Sequence, residues 1–225
     1  MNWQDVLTKN LIYLNLGGGR CCHPAKEYQY YIVVDQKPRG GWAVQHDLRG
    51  GIPLPDDSVD RILTEDFFEH ILIDEITLLL RDCHRILKPG GLMRIGVPDY
   101  GNPKDRPFLE LGKDIRYPGH ITLTNFELIR GIVAESPFED HNFYQYWEGD
   151  RYIWKHIDYS LGLIRRTPEN YYRITMRSPR HKIHRFITRW RTFQHSSQSK
   201  EDSSGIRFGH PLFATELVID LRKTR

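Results

Sequence analysis

The stretch ILIDEITLLLRDCHRILKPGGLMRIGVPD, residues 71–99, decides the fold of this chain. Its first half has the apolar spacing of a helix with one buried face, at Ile76, Leu79, Leu80, Cys83, Ile86 and Leu87. The turn Lys88-Pro89-Gly90-Gly91 ends that helix, and LMRIGVPD at 92–99 is typical of a buried strand. Another strand candidate, VDRILTED at 59–66, precedes the helix. This part of the chain therefore predicts a β-α-β unit and a parallel sheet.

Short apolar runs bounded by turn residues extend this pattern on both sides. They are LIYLNL (11–16), YYIVVD (30–35) and WAVQHDL (42–48) upstream, and the helix candidate TNFELIRGIVAE (124–135) and the strand candidates HNFYQYW (141–147) and FATELVIDL (213–221) downstream. Thr124, with Glu127 three residues later, is the expected N-cap of the downstream helix. We therefore expect a doubly wound α/β fold with a Rossmann-like, mostly parallel sheet of seven strands, the last of them antiparallel.

The whole chain, residues 1–225, is expected to form a single domain. Before the last strand, residues 148–212 are a basic, aromatic-rich insertion, which we interpret as a lid or an acceptor-binding appendage. Residues 165–225 contain 14 Lys and Arg against 5 Asp and Glu, a net charge of +9 that leaves −6 for residues 1–164. This asymmetry indicates either an anionic partner or a basic loop that makes nonspecific contacts.

The composition excludes several classes of protein. Hydrophobic residues make up 39% of the chain and charged residues 27%, which is typical of a soluble globular protein. No apolar run approaches the roughly 18 residues of a membrane span, and the first residues show no signal peptide. Cys21, Cys22 and Cys83 form neither a disulfide framework nor a zinc spacing, so we expect reduced thiols and a cytoplasmic location.

Three polar features follow the ends of the first three predicted strands. Gly17-Gly18-Gly19 closes the first strand, where a backbone without Cβ atoms lets a ligand approach closely. Asp35 ends the second strand, at the position where a carboxylate accepts ribose hydroxyls in nucleotide-binding sheets. After the third, Asp47 is placed to accept an adenine amine and Leu48 to pack on its ring. Each feature alone is also explained as an ordinary turn, solvated acid or loop cap, but together they favour a nucleotide-type cofactor.

A likeness to a known protein family rests on the segments LNLGGG (14–19), HDLRGGIPLPDDSVD (46–60), FFEHI (67–71) and LLRDCHRILKPGGLMRIGVPD (79–99). The chain resembles class I S-adenosylmethionine-dependent methyltransferases. The likeness is greatest to the small bacterial group found beside glycan and secondary-metabolite genes, and it covers about residues 11–140. It implies S-adenosyl-L-methionine as the cofactor. Two departures are Asn15, where the family has an acid, and a short segment at 20–30 containing Pro24 in place of a full first helix.

The resemblance also implies roles for individual residues. Gly17, Gly18 and Gly19 match the motif against the methionine part of the cofactor. The acid that binds the ribose is matched by Asp35, with Gln36 beside it, and the adenine contacts are matched by Asp47 and Leu48. Glu65 and Asp66 follow the fourth strand, where the family lines the methyl-transfer pocket.

The resemblance implies methyl transfer to an oxygen or nitrogen of a small-molecule or glycan acceptor, which is anionic if the basic insertion binds it. Such a displacement needs alignment and exclusion of water, and a base only if the nucleophile must lose a proton. Our candidates for catalysis are His120 and Asp99, although His120 is also explained as a loop anchor. Glu69 and His70 are explained at least as well by a structural role. The histidines show no metal-ligand spacing, so no metal is expected.

Three other functions stay open at this point. A nicotinamide-dependent oxidoreductase shares the order of strand, glycines and acid, but GGGRCCHP lacks the G-x-G-x-x-G run that it needs. A noncatalytic domain that keeps the fold is favoured slightly by Asn15 and the short segment after the glycines. A nucleic-acid methyltransferase would use the basic residues of the C-terminal part, although no nucleic-acid-binding module is recognisable.

Overall fold

The computed structural model describes residues 1–19, 31–38, 42–162, 200–201, 207–209 and 216–224. Its strands in chain order are β1 (Tyr13–Leu16), β2 (Tyr31–Asp35), β3 (Ala43–Gln45), β4 (Val59–Glu65), β5 (Leu87–Pro98), β6 (Leu109–Glu110), β7 (Lys113–Asp114), β8 (Asp140–Glu148), β9 (Arg151–Trp154), β10 (Lys200–Glu201), β11 (Arg207–Gly209) and β12 (Glu216–Arg222). The α-helices of the described part are α1 (Trp3–Leu7), α2 (Ile73–Ile86) and α3 (Phe126–Ala134).

All but β6 and β7 form one sheet, in the order β10-β11-β9-β8-β12-β5-β4-β1-β2-β3. Neighbours between β5 and β3 are parallel. Because β12 is antiparallel to both β5 and β8, β8 runs in the same direction as β5. This confirms the predicted doubly wound, mostly parallel sheet with an antiparallel last strand. Its seven strands are β3, β2, β1, β4, β5, β12 and β8.

Three further strands extend the sheet beyond the seven that we expected. β9 follows β8 after the two-residue turn Gly149-Asp150, in which Gly149 has a φ of +61°. Because so short a turn pairs the strands on its two sides, the start of the predicted insertion continues the sheet. β11 and β10 then add to β9 in antiparallel pairs. The rest of the insertion lies largely outside the described residues, as do Cys21, Cys22 and the predicted loop at 20–30.

Helix α2 lies where the apolar spacing predicts it, with Ile76, Leu79, Leu80, Cys83 and Ile86 all buried. The predicted N-cap of α3 is wrong by one residue. Asn125 caps this helix by accepting a hydrogen bond from Leu128 N at 2.9 Å. The Thr124 hydroxyl instead donates to Pro98 O at 2.6 Å, because Thr124 is buried against the end of β5. No α-helix in the described part of the chain is long and apolar enough to cross a membrane.

A buried ion pair joins β5 to β12. The Arg94 guanidinium, which is completely buried, donates to both carboxylate oxygens of Asp220 at 2.7 Å. It also donates to the backbone oxygens of Asp158 and Gly162, at 2.7 and 2.6 Å. Arg94 therefore fastens the segment that follows β9 to the centre of the sheet.

Candidate functional site

A cleft of about 450 Å³ lies at the carboxyl ends of the parallel strands. In doubly wound sheets ligands bind at this edge, where the loops after successive strands converge. The segments after β1, β2, β3 and β4 all contribute to the cleft, together with one side chain at the start of α2 and one from the segment before α3. The lining residues are Gly17, Asp35, Gln36, His46, Asp47, Leu48, Arg49, Phe67, His70, Ile71, Leu72, Glu75 and Ile121.

Gly17 is the position where the wall of the cleft requires glycine. Its φ is +68°, and a Cβ built on it would lie 2.4 Å from the ring of Phe67. Its N–H donates to Val34 O at 2.9 Å, which fixes this backbone against β2. The resulting surface, with no side chain between backbone and cleft, suits close contact with a ligand.

The other two glycines, Gly18 and Gly19, are not among the cleft-lining residues. A Cβ on Gly18 would come within 2.9 Å of the Asn15 side chain, so these two residues pack together. Asn15 is buried, and its Oδ1 has no hydrogen-bond partner among the residues that the structure describes. Gly19 N donates to Asp35 Oδ2 at 3.0 Å, which ties the glycine loop to the end of β2.

Asp35, the last residue of β2, and Gln36 both line the cleft, and their binding of the cofactor stays a prediction. Asp35 accepts backbone hydrogen bonds from Gly19 at Oδ2 and from Lys37 at Oδ1, the second at 2.7 Å. A carboxylate has about four acceptor positions. These two bonds therefore orient Asp35 and leave it capacity for ligand hydroxyls.

Asp47 and Leu48 also line the cleft, and the structure adds two neighbours that the sequence analysis missed. Arg49 Nη2 lies 2.6 Å from Asp47 Oδ2 and holds the pKa of this carboxyl well below its usual range. Leu48 is buried under the cleft. His46 contacts Gly51 O through Nε2 at 2.5 Å and packs edge-on against Trp3. Arg49 and His46 stand close to Asp47 in the sequence, and this position was the signal that could have identified them as residues of the cleft.

Glu65 and Asp66 are not among the cleft-lining residues. Glu65, the last residue of β4, is buried, with 5% of its surface exposed. Asp66 has a φ of +56°, and its N–H donates to Gly96 O at 3.0 Å. Aspartate tolerates this left-handed conformation better than most residues. The two acids therefore form the turn that directs Phe67 toward Gly17.

Asp99 lies at the end of β5, completely enclosed and not among the cleft-lining residues. It accepts a backbone hydrogen bond from Gly101 at 2.9 Å and one from Trp147 at 2.6 Å, and the second links the end of β5 to β8. Burial disfavours the charged carboxylate more than these two donors favour it, and it raises the pKa of Asp99 to about 7. These contacts are those of a positioning residue, and the catalytic role of Asp99 stays a prediction without support from its location.

His120 lies beside His70 at the border of the cleft. His70 lines the cleft, and the two rings are 4.9 Å apart and nearly perpendicular. His70 Nδ1 lies 2.9 Å from Gly119 O, a contact with loop backbone that agrees with a structural role for this histidine. His120 is not itself a lining residue, but Ile121 is, so the loop presents its next side chain to the cleft.

The loop that carries His120 is fixed by Glu69 and Tyr100. The backbone oxygen of Glu69 accepts from Ile121 N at 2.8 Å and from Thr122 N at 3.1 Å. The Tyr100 hydroxyl lies 2.5 Å from His120 Nδ1. The structure thereby brings together Glu69, His70 and His120, whose possible ligand atoms all lie within 4.8 Å of one another. Sequence reasoning did not find this cluster because His120 is distant along the chain.

The comparisons with known proteins agree with this architecture. A family model described as a methyltransferase domain matches residues 25–95. A methyltransferase from Archaeoglobus fulgidus, described as S-adenosylmethionine-dependent, superposes with a TM-score of 0.55 over 98% of this chain and 90% of that one, at 18% identity. The chain has the class I methyltransferase fold. The resemblance drawn from the motifs is thereby confirmed.

Two further solved structures have the same fold. One is a methyltransferase of Thermotoga maritima, described as a possible histamine N-methyltransferase, with a TM-score of 0.52, 14% identity, and 97% of this chain and 86% of that chain covered. The other is phosphoethanolamine N-methyltransferase 2 of Haemonchus contortus in complex with S-adenosyl-L-methionine, with a TM-score of 0.51, 13% identity, and 99% and 53% covered. None of the curated proteins matches the chain.

Proposed function

We propose that this chain is an S-adenosylmethionine-dependent methyltransferase that acts on an oxygen or nitrogen of a small-molecule or glycan acceptor. The observation that carries the proposal is the cleft itself. A glycine without room for a Cβ, Gly17, and two oriented acids, Asp35 and Asp47, follow three strands and face one space. The solved structure of the Haemonchus contortus enzyme, which has this fold, is described as containing S-adenosyl-L-methionine.

The residues of the cleft fit this cofactor. Asp35 can accept the ribose hydroxyls, since its two backbone bonds leave acceptor positions unused. Leu48 offers an apolar surface to the adenine, and Asp47, paired with Arg49, borders the same end of the cleft. Asn15 does not line the cleft, but its buried amide oxygen lies next to the glycine loop, where the family has an acid. An amide oxygen still accepts a hydrogen bond, so this departure does not favour a noncatalytic domain.

When bound, the cofactor supplies an activated methyl group on a sulfonium, so the chain has to align the acceptor and exclude water. We assign alignment of the acceptor to the border of the cleft that contains His70 and Ile121. Leu72 and Ile121 are apolar, line the cleft and are about half exposed, so a bound acceptor would cover them and displace water. The predicted role of His120 belongs here as well, because its loop forms this border.

The class of acceptor is supported less directly than the cofactor is. The Thermotoga maritima protein is described as a possible histamine N-methyltransferase and the Haemonchus contortus protein as a phosphoethanolamine N-methyltransferase. The excess of Lys and Arg in residues 165–225 favours an anionic acceptor, such as a phosphorylated small molecule or a nucleotide-linked glycan. A nucleic-acid acceptor shares this charge, and retention on RNA or DNA that falls with salt would favour it.

Calorimetry with the demethylated cofactor, S-adenosylhomocysteine, tests the cofactor site. We expect the wild-type chain to bind it and Asp35→Ala to weaken binding at least about tenfold, because each hydrogen bond to a charged group contributes about 1.5–3 kcal/mol. Asp150→Ala is the matched control, since Asp150 is an exposed acid on the turn between β8 and β9. If the wild-type chain binds neither S-adenosylmethionine nor S-adenosylhomocysteine, the proposal is wrong.

Methyl transfer itself is tested with labelled S-adenosylmethionine and a panel of amines, phenols, sugars and their phosphate esters. We expect label in at least one oxygen or nitrogen acceptor, and loss of that activity in Asp35→Ala. If the chain binds the cofactor but no member of any acceptor class is labelled, a noncatalytic role is favoured over the proposed one.

A further inference from the structure

The cluster of Glu69, His70 and His120 stands at the acceptor border of the cleft. Glu69 and His70 come from the 3₁₀ turn Phe68–His70 that follows β4, whereas His120 comes from the loop before α3. The two segments are joined by backbone hydrogen bonds from Ile121 and Thr122 to the oxygen of Glu69. The position of the three side chains relative to one another is therefore set by the fold.

We propose that Glu69, His70 and His120 form a binding site for a divalent transition-metal cation. One carboxylate and two imidazoles are the ligand set of Zn²⁺ and Fe²⁺ sites that keep open positions for water or substrate. Mg²⁺ and Ca²⁺ prefer sites made of oxygen ligands alone. The open positions of a cation held here would face the cleft, because His70 lines it.

The distances suit such a site after a small contraction. Glu69 Oε1 and His70 Nε2 are 3.9 Å apart, and all three ligand atoms lie within 4.8 Å of one another. Ligands at about 2.1 Å from a shared cation are at most about 4.2 Å apart, so binding requires movements of about 1 Å or less. Glu69 is completely buried, and a buried carboxylate is stabilised when it is paired or coordinates a metal.

The surrounding hydrogen bonds place the ring protons where metal-binding histidines need them. Gly119 O can only accept, so His70 Nδ1 carries the proton and Nε2 carries the lone pair. Tyr100 also interacts with Asp114, and because an ionised carboxylate can only accept, the Tyr100 hydroxyl proton is directed to Asp114. The Tyr100 oxygen then accepts from His120 Nδ1. In both histidines Nε2 is therefore the nitrogen that is available to bind a metal. Nδ1 is held in each case by a hydrogen bond to another group, Gly119 O or the Tyr100 hydroxyl.

Asp114 is itself kept ionised. The hydrogen bonds of this chain of groups therefore run in one direction, from His120 through Tyr100 to Asp114. Arg116 donates to both of its carboxylate oxygens, at 3.0 and 2.6 Å. This pairing lowers the pKa of Asp114 to about 2. An ionised Asp114 accepts from the Tyr100 hydroxyl at neutral pH, so the arrangement of Asp114, Tyr100 and His120 is the one that supports metal binding.

The metal site does not depend on the proposed reaction, but the role of the cation rests on it. A cation at this border would coordinate an acceptor hydroxyl and lower its pKa, so that the proton leaves to solvent and the oxygen then takes the methyl group from the sulfonium. His120 would then act as a ligand instead of a free base. This role narrows the acceptor to a group that a divalent cation can bind, such as a hydroxyl beside a phosphate or carboxylate.

Titration of the metal-free full chain with Co²⁺, followed by visible absorption, tests the site. We expect one Co²⁺ per chain bound with ligand-field bands of a nitrogen- and oxygen-ligated site. His70→Ala, His120→Ala and Glu69→Gln should each weaken binding by at least about 100-fold, and Tyr100→Phe by about tenfold, since outer partners of metal ligands contribute about 10–100-fold. His141→Ala is the matched control, because His141 is an exposed histidine on β8.

Circular dichroism and S-adenosylhomocysteine binding without metal establish that each variant is folded. If a variant fails to fold, Tyr100→Phe, which leaves all three ligands in place, still tests the site. The proposal is overturned if the wild-type chain gives no such bands at millimolar Co²⁺, or if the cluster variants bind Co²⁺ as the wild type does. Binding of Co²⁺ without any binding of S-adenosylhomocysteine would instead keep the metal site and refute the proposed function.

Discussion

Replacing Gly17 with alanine is expected to damage both the stability of the chain and its cofactor cleft. Gly17 has a φ of +68°, a conformation that side chains with a Cβ disfavour. The new Cβ would lie 2.4 Å from Cγ and Cδ2 of Phe67 and 2.7 Å from its Cβ. Because Phe67 cannot avoid all three contacts by rotating its ring, either its backbone or that of the glycine loop must move.

The magnitude follows from two separate contributions. A left-handed conformation costs a residue with a Cβ about 1–2 kcal/mol, and overpacking of this kind costs about 1–3 kcal/mol. Together they lower the free energy of unfolding by about 2–5 kcal/mol, equivalent to roughly 4–20 °C in Tm for a chain of this size. Binding of S-adenosylhomocysteine should fall as well, because the displaced atoms line the cleft.

Urea denaturation and calorimetry measure the two effects. Gly131→Ala is the control, since Gly131 lies in α3 with open space around its Cβ position, and there alanine should stabilise the helix by about 0.5–1 kcal/mol. In a Phe67→Gly background the overpacking disappears, so Gly17→Ala should cost only the left-handed contribution. An unfolding free energy and an affinity equal to those of the wild type in Gly17→Ala would refute this account of the cleft.

Two further changes test the interior of the sheet. Asp220→Ala leaves the guanidinium of Arg94 buried without its carboxylate, and we expect a loss of about 3–5 kcal/mol in urea denaturation; a loss under 1 kcal/mol would contradict the burial of this pair. Burial raises the pKa of Asp99 to about 7, above its ordinary value of about 3.9. The folded state therefore binds this proton more tightly than the unfolded state does. As a result, the free energy of unfolding falls as pH rises from about 4 to about 7. This slope should appear in denaturation midpoints of the wild type relative to Asp99→Asn, and the opposite slope would refute the assignment.

The sequence alone predicted the seven main strands, their mostly parallel arrangement and one side of the cleft. The apolar runs and helix α2 (Ile73–Ile86) follow from local patterns, and in a parallel sheet the carboxyl ends of the strands meet at one edge. That is why Gly17, Asp35 and Asp47, each following its own strand, come together on the cleft wall. The sequence did not show that Glu65 and Asp66 turn away from this wall, because that depends on the left-handed conformation of Asp66.

What the sequence determined about this protein is therefore its local structure and the edge of the sheet at which ligands bind. The tertiary structure alone decided which distant side chains meet there. His120 reaches His70 only because the backbone of Glu69 binds the loop before α3, and Arg94 meets Asp220 only because β12 pairs with β5. Periodicity and turn residues act over a few positions, whereas contacts between distant segments depend on how the whole sheet is ordered and packed.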